Sequence, residues 1–245
     1  MKQWLLNQKR TQHWESTPTT LNAIYALIQT GSNWVNEDNH CTVTIGNNTY
    51  STTNGETATG YIKVVLDENT NIQNTDTVSF LKKGNAPAWG SVYQQFFEDI
   101  NEVTQQKGVL SIEKKLFVED GSGQKIIPVE GGRLRIGDKV VVRLTIRSDR
   151  EMDYVCIKDL RAGCFEPVSQ ISETKFRDGV VYYQSPTDVS ENFFFNRLPK
   201  GTFVIEYPVY VSRSGEYTGG ISNIQCLYAP EFVSHTEGSR VSVDN

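Results

Sequence analysis

The sequence predicts a mainly β protein: an antiparallel β-sandwich, preceded by a smaller β unit and a short N-terminal helical hairpin. Three observations carry this. From residue 32 onward, apolar residues recur with period two instead of 3.6. Turn signals such as Arg177-Asp178-Gly179 and Arg213-Ser214-Gly215 divide the runs at short intervals. Aromatic residues make up 11% of the 245 residues, with Tyr 11 and Phe 11, a share that suits pleated strands better than helices.

The helical part comes first, over 1–31. Trp4, Leu5 and Gln8 read as the end of one helix, broken around Thr11–Ser16. Thr17-Pro18 restarts it, with Thr as N-cap and Pro at the first helical position, where its missing N–H costs nothing. Leu21, Ile24, Tyr25 and Ile28 follow at i, i+3, i+4 and i+7, one apolar stripe, and Gly31 is placed to cap the end. A lone hairpin cannot bury that stripe by itself, so it needs a partner surface.

Strands follow. Residues 41–46 alternate, and Asn47-Asn48 turns them back into 49–51. Residues 61–66, 77–81 and 88–97 are further strand candidates, with a polar loop over 67–76 and a polar link over 98–107. The second β unit starts near Gly108 with 110–118. Lys139–Ile146, led in by Gly137-Asp138, is the strongest strand of the chain. Strands at 154–158, 180–184, 192–196, 202–211 and 222–228 complete a pattern that argues for a sandwich.

Composition narrows the function. Lys+Arg 24 against Asp+Glu 29 gives a net charge of −5, which is not the basic footprint of a nucleic-acid binder. No apolar run approaches the roughly 18 residues that span a bilayer. Residues 1–9 have no apolar signal-peptide core, so they read as an interior or cytosolic start. The four cysteines, Cys41, Cys156, Cys164 and Cys226, lack metal-ligand spacing.

The remaining chemical signals are thin. His13, His40 and His235 form no short ligand pattern, and no nucleophile elbow accompanies them. Asp67-Glu68-Asn69-Thr70-Asn71 alternates oxygen ligands but has Ile72 where a calcium loop needs Gly and Val78 where it needs Glu. Gly121–Lys125 is too short to cradle a phosphate, and Asn47-Asn48-Thr49 is a bare glycosylation triplet. Adjacent acids such as Glu98-Asp99 point to opposite faces of a strand. Two readings stand open for Cys156 and Cys226: small apolar core residues, or a disulfide pinning two strands in an oxidising compartment. Cys164, in a Gly-containing turn, is expected to be the most exposed thiol. Phe193-Phe194-Phe195 and Tyr182-Tyr183 supply either inter-sheet packing or a sugar-binding platform.

Three blocks in order resemble bacterial alpha-2-macroglobulins, with the nearest likeness to the C-terminal end of Bacteroidetes-type members. Trp4-Leu5-Leu6 through Trp14–Thr20 to 23–27 resembles the last helical hairpin of the α/α-toroid thioester domain. Gly108–Ile112, Gly137–Leu144, Asp153-Tyr154-Val155 and Glu166-Pro167-Val168 form the second block. Leu198-Pro199-Lys200-Gly201 through Tyr207, Gly215-Glu216-Tyr217 and Tyr228–Phe232 resemble the closing strands of the family. The loop 159–166 lacks the usual prolines, and Gly219-Gly220 stands where prolines are common. The family's thioester needs a Cys-x-Glu-Gln run, and none of the four cysteines begins one.

The resemblance implies three parts: 1–31 as the end of the toroid domain, 32–107 as part of a CUB-like β domain, and 108–245 as the terminal macroglobulin-type sandwich of immunoglobulin-like build. It implies a fragment of a protease-trapping inhibitor that carries no catalytic, metal or cofactor-binding residue. The parent would be periplasmic or cell-surface, with its signal upstream and any membrane anchor outside this chain. Its partners would be target proteases and, within the molecule, the thioester-type domain. Two rival classes are a carbohydrate-binding surface module using Tyr182 or Tyr183, and a hydrolase built around one of the histidines.

Overall fold

The computed structural model describes residues 2–30, 40–56, 60–66, 77–84, 88, 90–93, 97–119, 126–129 and 133–244. The stretches 67–71 and 121–125 and position Gly31 lie outside them. The chain divides into two compact units, Met1–Leu5 with Glu15–Tyr93, and Leu6–Trp14 with Gln94–Asn245. Helix α1 (Lys2–Thr11) runs through the division.

The first unit holds helix α2 (Thr17–Thr30) and strands β1 (Cys41–Ile45), β2 (Asn48–Ser51) and β3 (Val78–Lys82). The cap of α2 is Ser16, one residue before the expected Thr17: its Oγ accepts the Thr19 N–H at 3.3 Å, and its carbonyl accepts the first helical N–H, from Thr20, at 3.0 Å. The stripe Leu21, Ile24, Tyr25 and Ile28 is exposed, and Ala23 is the one buried residue of the helix. The strands form an antiparallel sheet in the order β2-β1-β3. Its hairpin turns on Gly46-Asn47 because Ile45 pairs with Asn48, and Gly46 takes φ 55 at the first loop position, where a two-residue hairpin favours glycine. Residues 61–66 are not a strand. Their apolar pattern finds no ladder, and among the described residues of 88–97 no strand forms either.

The second unit contains the sandwich. One sheet has six strands: β10 (Glu173–Arg177), β11 (Val180–Pro186), β12 (Ser190–Leu198), β8 (Met152–Leu160), β15 (Ser222–Cys226) and β16 (Val233–His235), in that spatial order. The other has five: β5 (Ile126–Pro128), β4 (Leu110–Glu119), β7 (Lys139–Ser148), β13 (Gly201–Val211) and β9 (Phe165–Pro167). A smaller sheet joins β14 (Gly215–Thr218), β17 (Arg240–Asp244) and β6 (Arg133–Arg135). Pairing in the two large sheets is antiparallel, and β17 with β6 is the parallel exception.

Alternation places the core. Val155 and Ile157 on β8, Phe193 and Phe195 on β12, Leu144 and Ile146 on β7, and Ile205 and Val209 on β13 point inward into one apolar cluster. Phe193 meets Tyr207 across the sheets, ring centroids 5.8 Å apart. The polar stretch before the sandwich is strapped to its edge. Gln106 bridges His235, Ser234 Oγ donates to the Gln106 carbonyl, and the Gly238 N–H donates to Val103 at 2.8 Å. A side chain at 238 would lie 1.9 Å from the Ile100 carbonyl, so only glycine fits there.

Candidate functional site

Two polar clusters stand out in the second unit. The first lies inside the sandwich. Asp159 has no exposed surface, and donors from three other strands converge on it: Lys114 Nζ at 2.7 Å, Ser222 Oγ at 2.8 Å, and the Tyr207 hydroxyl. Lys114 also donates to the carbonyls of Leu160 (2.8 Å) and Gly219 (3.2 Å). Gly220, at φ 71, makes this approach possible, because a Cβ there would sit 2.3 Å from the Leu160 oxygen. Burial, and then the Asp159 charge, pushes the Tyr207 phenol well above its ordinary range, so it stays a donor.

Beside it runs a second buried pair, Arg161 Nη1 to Glu191 at 2.9 Å, with Gln184 Nε2 donating to the other Glu191 oxygen at 2.8 Å. Burial pushes the Glu191 carboxyl up, against the hydrogen bond from Gln184 and the charge of Arg161. Among the described residues Arg161 Nε and Nη2 and Gln184 Oε1 find no hydrogen-bond partner. Such atoms cost roughly 1–3 kcal/mol each, so this pair specifies geometry more than it stabilises.

The second cluster is on the surface. His13 donates to Asp153 Oδ2 through its backbone N–H (2.8 Å) and its ring Nδ1 (2.5 Å). Gln12 Nε2 donates to the Glu151 carbonyl at 3.3 Å, and Arg10 Nε to Glu231 at 3.1 Å. Tyr154 lies between His13 and Tyr228, its ring centroid 6.2 Å from the first and 5.1 Å from the second. It is held there at φ 55, a conformation that non-glycine residues seldom adopt.

The residues singled out from sequence fall as follows. His235 Nδ1 lies 3.2 Å from the Thr236 carbonyl and His13 faces a carboxylate, so neither ring engages a nucleophile. The Cys156–Cys226 disulfide is not formed: all four cysteines are free. The register explains this, since Cys226 pairs with Val155 on the core face while Cys156 pairs with Gln225 on the outer one. Cys164 is fully buried, contrary to its expected exposure, and its carbonyl accepts bonds from Ser212. Burial pushes the Cys156, Cys164 and Cys226 thiols up, away from the reactive thiolate.

The aromatic platform is split by the pleat. Tyr182 is 4% exposed and packs on Phe193 and Phe195, whereas Tyr183 is 45% exposed and faces Phe194. A concavity of about 500 Å³, lined by Glu98, Val103–Gln106 and His235, carries no convergent catalytic set. Among the described residues no group of His, Cys, Asp or Glu could hold a metal ion, and no helix is long and apolar enough to cross a membrane.

A family model described as the bacterial alpha-2-macroglobulin MG10 domain matches residues 110–231, about half the chain and most of the sandwich. Among solved structures, Escherichia coli alpha-2-macroglobulin activated by porcine elastase aligns with a TM-score of 0.53 at 14% identity, over 98% of this chain and 21% of that one. The trypsin-activated form from the same organism gives 0.52 at 13% identity, over 98% and 16%. At such identity these two likenesses show the fold alone. Among curated proteins, circularly permutated Ras protein 2 of Dictyostelium discoideum is 27% identical over 139 residues, 55% of this chain and 4% of that protein. This chain therefore spans only a small part of each of these relatives. With the matched segment coinciding with the two-sheet core, the chain belongs to the bacterial alpha-2-macroglobulin family.

Proposed function

We propose that this chain is the non-catalytic C-terminal region of a longer protease-trapping protein, an endopeptidase inhibitor of the extracellular or periplasmic space. The match of the sandwich to the MG10 domain carries this reading. In it, residues 1–31 close a helical thioester-type domain, 32–107 belong to a CUB-like domain, and 108–245 are the terminal macroglobulin domain. The exposed stripe on α2 supports the first assignment, because an amphipathic helix is stabilised mainly by packing its apolar face. The wholly exposed strand β3 supports the second, since a three-stranded sheet with no buried face calls for a further layer.

The chain's own residues do structural work in this scheme. The buried Lys114–Asp159 pair ties one sheet to the other, the buried Arg161–Glu191 pair ties β12 to the end of β8 within the six-stranded sheet, and no Cys-x-Glu-Gln run is present to make a covalent trap. The parent protein, mixed with trypsin or elastase and passed over a sizing column, should carry protease activity with it into the high-mass fraction. Complete separation of the two would contradict the reading.

A further inference from the structure

The surface cluster at one end of the sandwich has a consistent chemistry. The sandwich contributes two carboxylates, Asp153 and Glu231, and three rings, Tyr154, Tyr228 and Phe232. The segment Leu6–Trp14 contributes the cation of Arg10 and the donors of Gln12 and His13. Arg10 also lies over the Phe232 ring at 5.5 Å, and Arg150 lies over the same ring at 5.4 Å. The neighbouring charges are engaged among themselves, Arg150 with Asp149 and Arg197 with Glu151.

The contacts of Arg10 and His13 are polar or cation–π, and the Arg10–Glu231 pair is partly open to solvent, with 42% and 31% of the two side chains exposed, whereas Thr11 between them and the Asp153 carboxylate are buried. The core of the sandwich is apolar by comparison. Tyr154 is kept at φ 55 inside β8, with the Leu227 N–H on its carbonyl at 2.9 Å, and that strained backbone presents its ring to His13.

We propose that this acidic and aromatic socket is a receptor for a basic turn and works as a releasable latch: ionic screening frees the Arg10–His13 segment while the sandwich stays folded. The socket's partner in this chain is its own residues 10–13, and the chemistry it would select in any competitor is a peptide with Arg three residues ahead of His. The inference does not depend on protease trapping. The charge pair is worth little where water reaches it, so salt and single substitutions can open the latch.

The His13 amide is a direct reporter, because its hydrogen bond ends on Asp153. Hydrogen exchange of the full chain, read by NMR, should show that amide losing protection about five-fold in about 1 M NaCl, where the Debye length is roughly 3 Å. Glu231→Gln should lose a similar factor without added salt. Tyr154→Gly should do so too, since glycine takes φ 55 freely and the ring contacts to His13 and Tyr228 disappear. Amides of β7 should keep their protection throughout. The proposal is overturned if His13 protection is indifferent to both salt and Glu231→Gln, or if it falls only together with β7.

Discussion

Asp159 has no solvent-exposed surface, and Lys114, Ser222 and Tyr207 each donate to it from a different strand. Asp159→Asn should cost about 3–5 kcal/mol by chemical denaturation, because it strands the Lys114 ammonium in the core. The double change Lys114→Met with Asp159→Leu should recover most of that loss, since an apolar pair removes both charges at once. A loss in the double variant as large as in the single one would show that the hydroxyl donors, and not the charge, set the cost.

At the outer face, Glu206 pairs with Arg143 directly across β13 and β7 (2.6 Å) and with Arg177 (3.1 Å). Burial pulls its carboxyl up, but the two guanidinium groups outweigh that and hold it below the usual carboxylate range. The lowered carboxyl contributes stability above its unfolded pKa, and that contribution fades as pH falls through the folded value. Glu206→Gln should therefore lose about 1 kcal/mol near neutral pH, and the gap to the wild type should close in acid. An equal gap at both ends of the pH range would refute the assignment.

These residues were partly legible in the sequence. Asp159 stands in phase with Val155 and Ile157, and Glu191 in phase with Phe193 and Phe195, so each is a charge at an inward strand position. That pattern marks a buried pair but does not name its partner. The His13–Asp153 contact left no such mark, because the two residues are 140 positions apart and neither belongs to a local motif.

Among the elements, those with a buried face were the readable ones. Lys139–Ser148 alternates almost perfectly between the core and the outer face, and its apolar run announces it. Glu173–Arg177 is an edge strand with no buried residue, so period-two patterning has nothing to display, and only its partner β11 defines it. The opposite error occurred at 61–66, where strand-forming residues lie outside any sheet because β propensity is realised only through a neighbour.

Turn chemistry was more dependable. Asp178 and Gly179, at φ 52 and 82, close the β10–β11 hairpin as an Asp-Gly pair should. Gly179→Ala should destabilise by about 1 kcal/mol through its positive φ alone, since no atom lies within 4 Å of the added methyl. An unchanged melting temperature would contradict this. On α2, Ser16→Ala should cost about 1 kcal/mol of helix stability, and Thr17→Ala much less. Equal effects would return the cap to Thr17.

Over the whole molecule, burial is uneven. The sandwich holds almost all of the buried apolar residues, while the described part of the first unit buries Ala23 and leaves β3 open along its length. Local stability follows buried contact, so amides of α2 and of β1–β3 should exchange at least about 100-fold faster than those of β7 in the isolated chain. Matching rates would mean that the exposed stripe of α2 needs no further partner. Under the proposed function, other domains of a longer parent would cover the helices and the thin sheet that bury so little here.

Protease trapping is most directly tested with the full-length parent protein and a stoichiometric amount of elastase, assayed on a small chromogenic peptide and on a large protein substrate. The account predicts that peptide cleavage survives while cleavage of the large substrate is suppressed, and that deleting 108–245 abolishes this discrimination. Equal loss of both activities, or of neither, in the intact protein would contradict it.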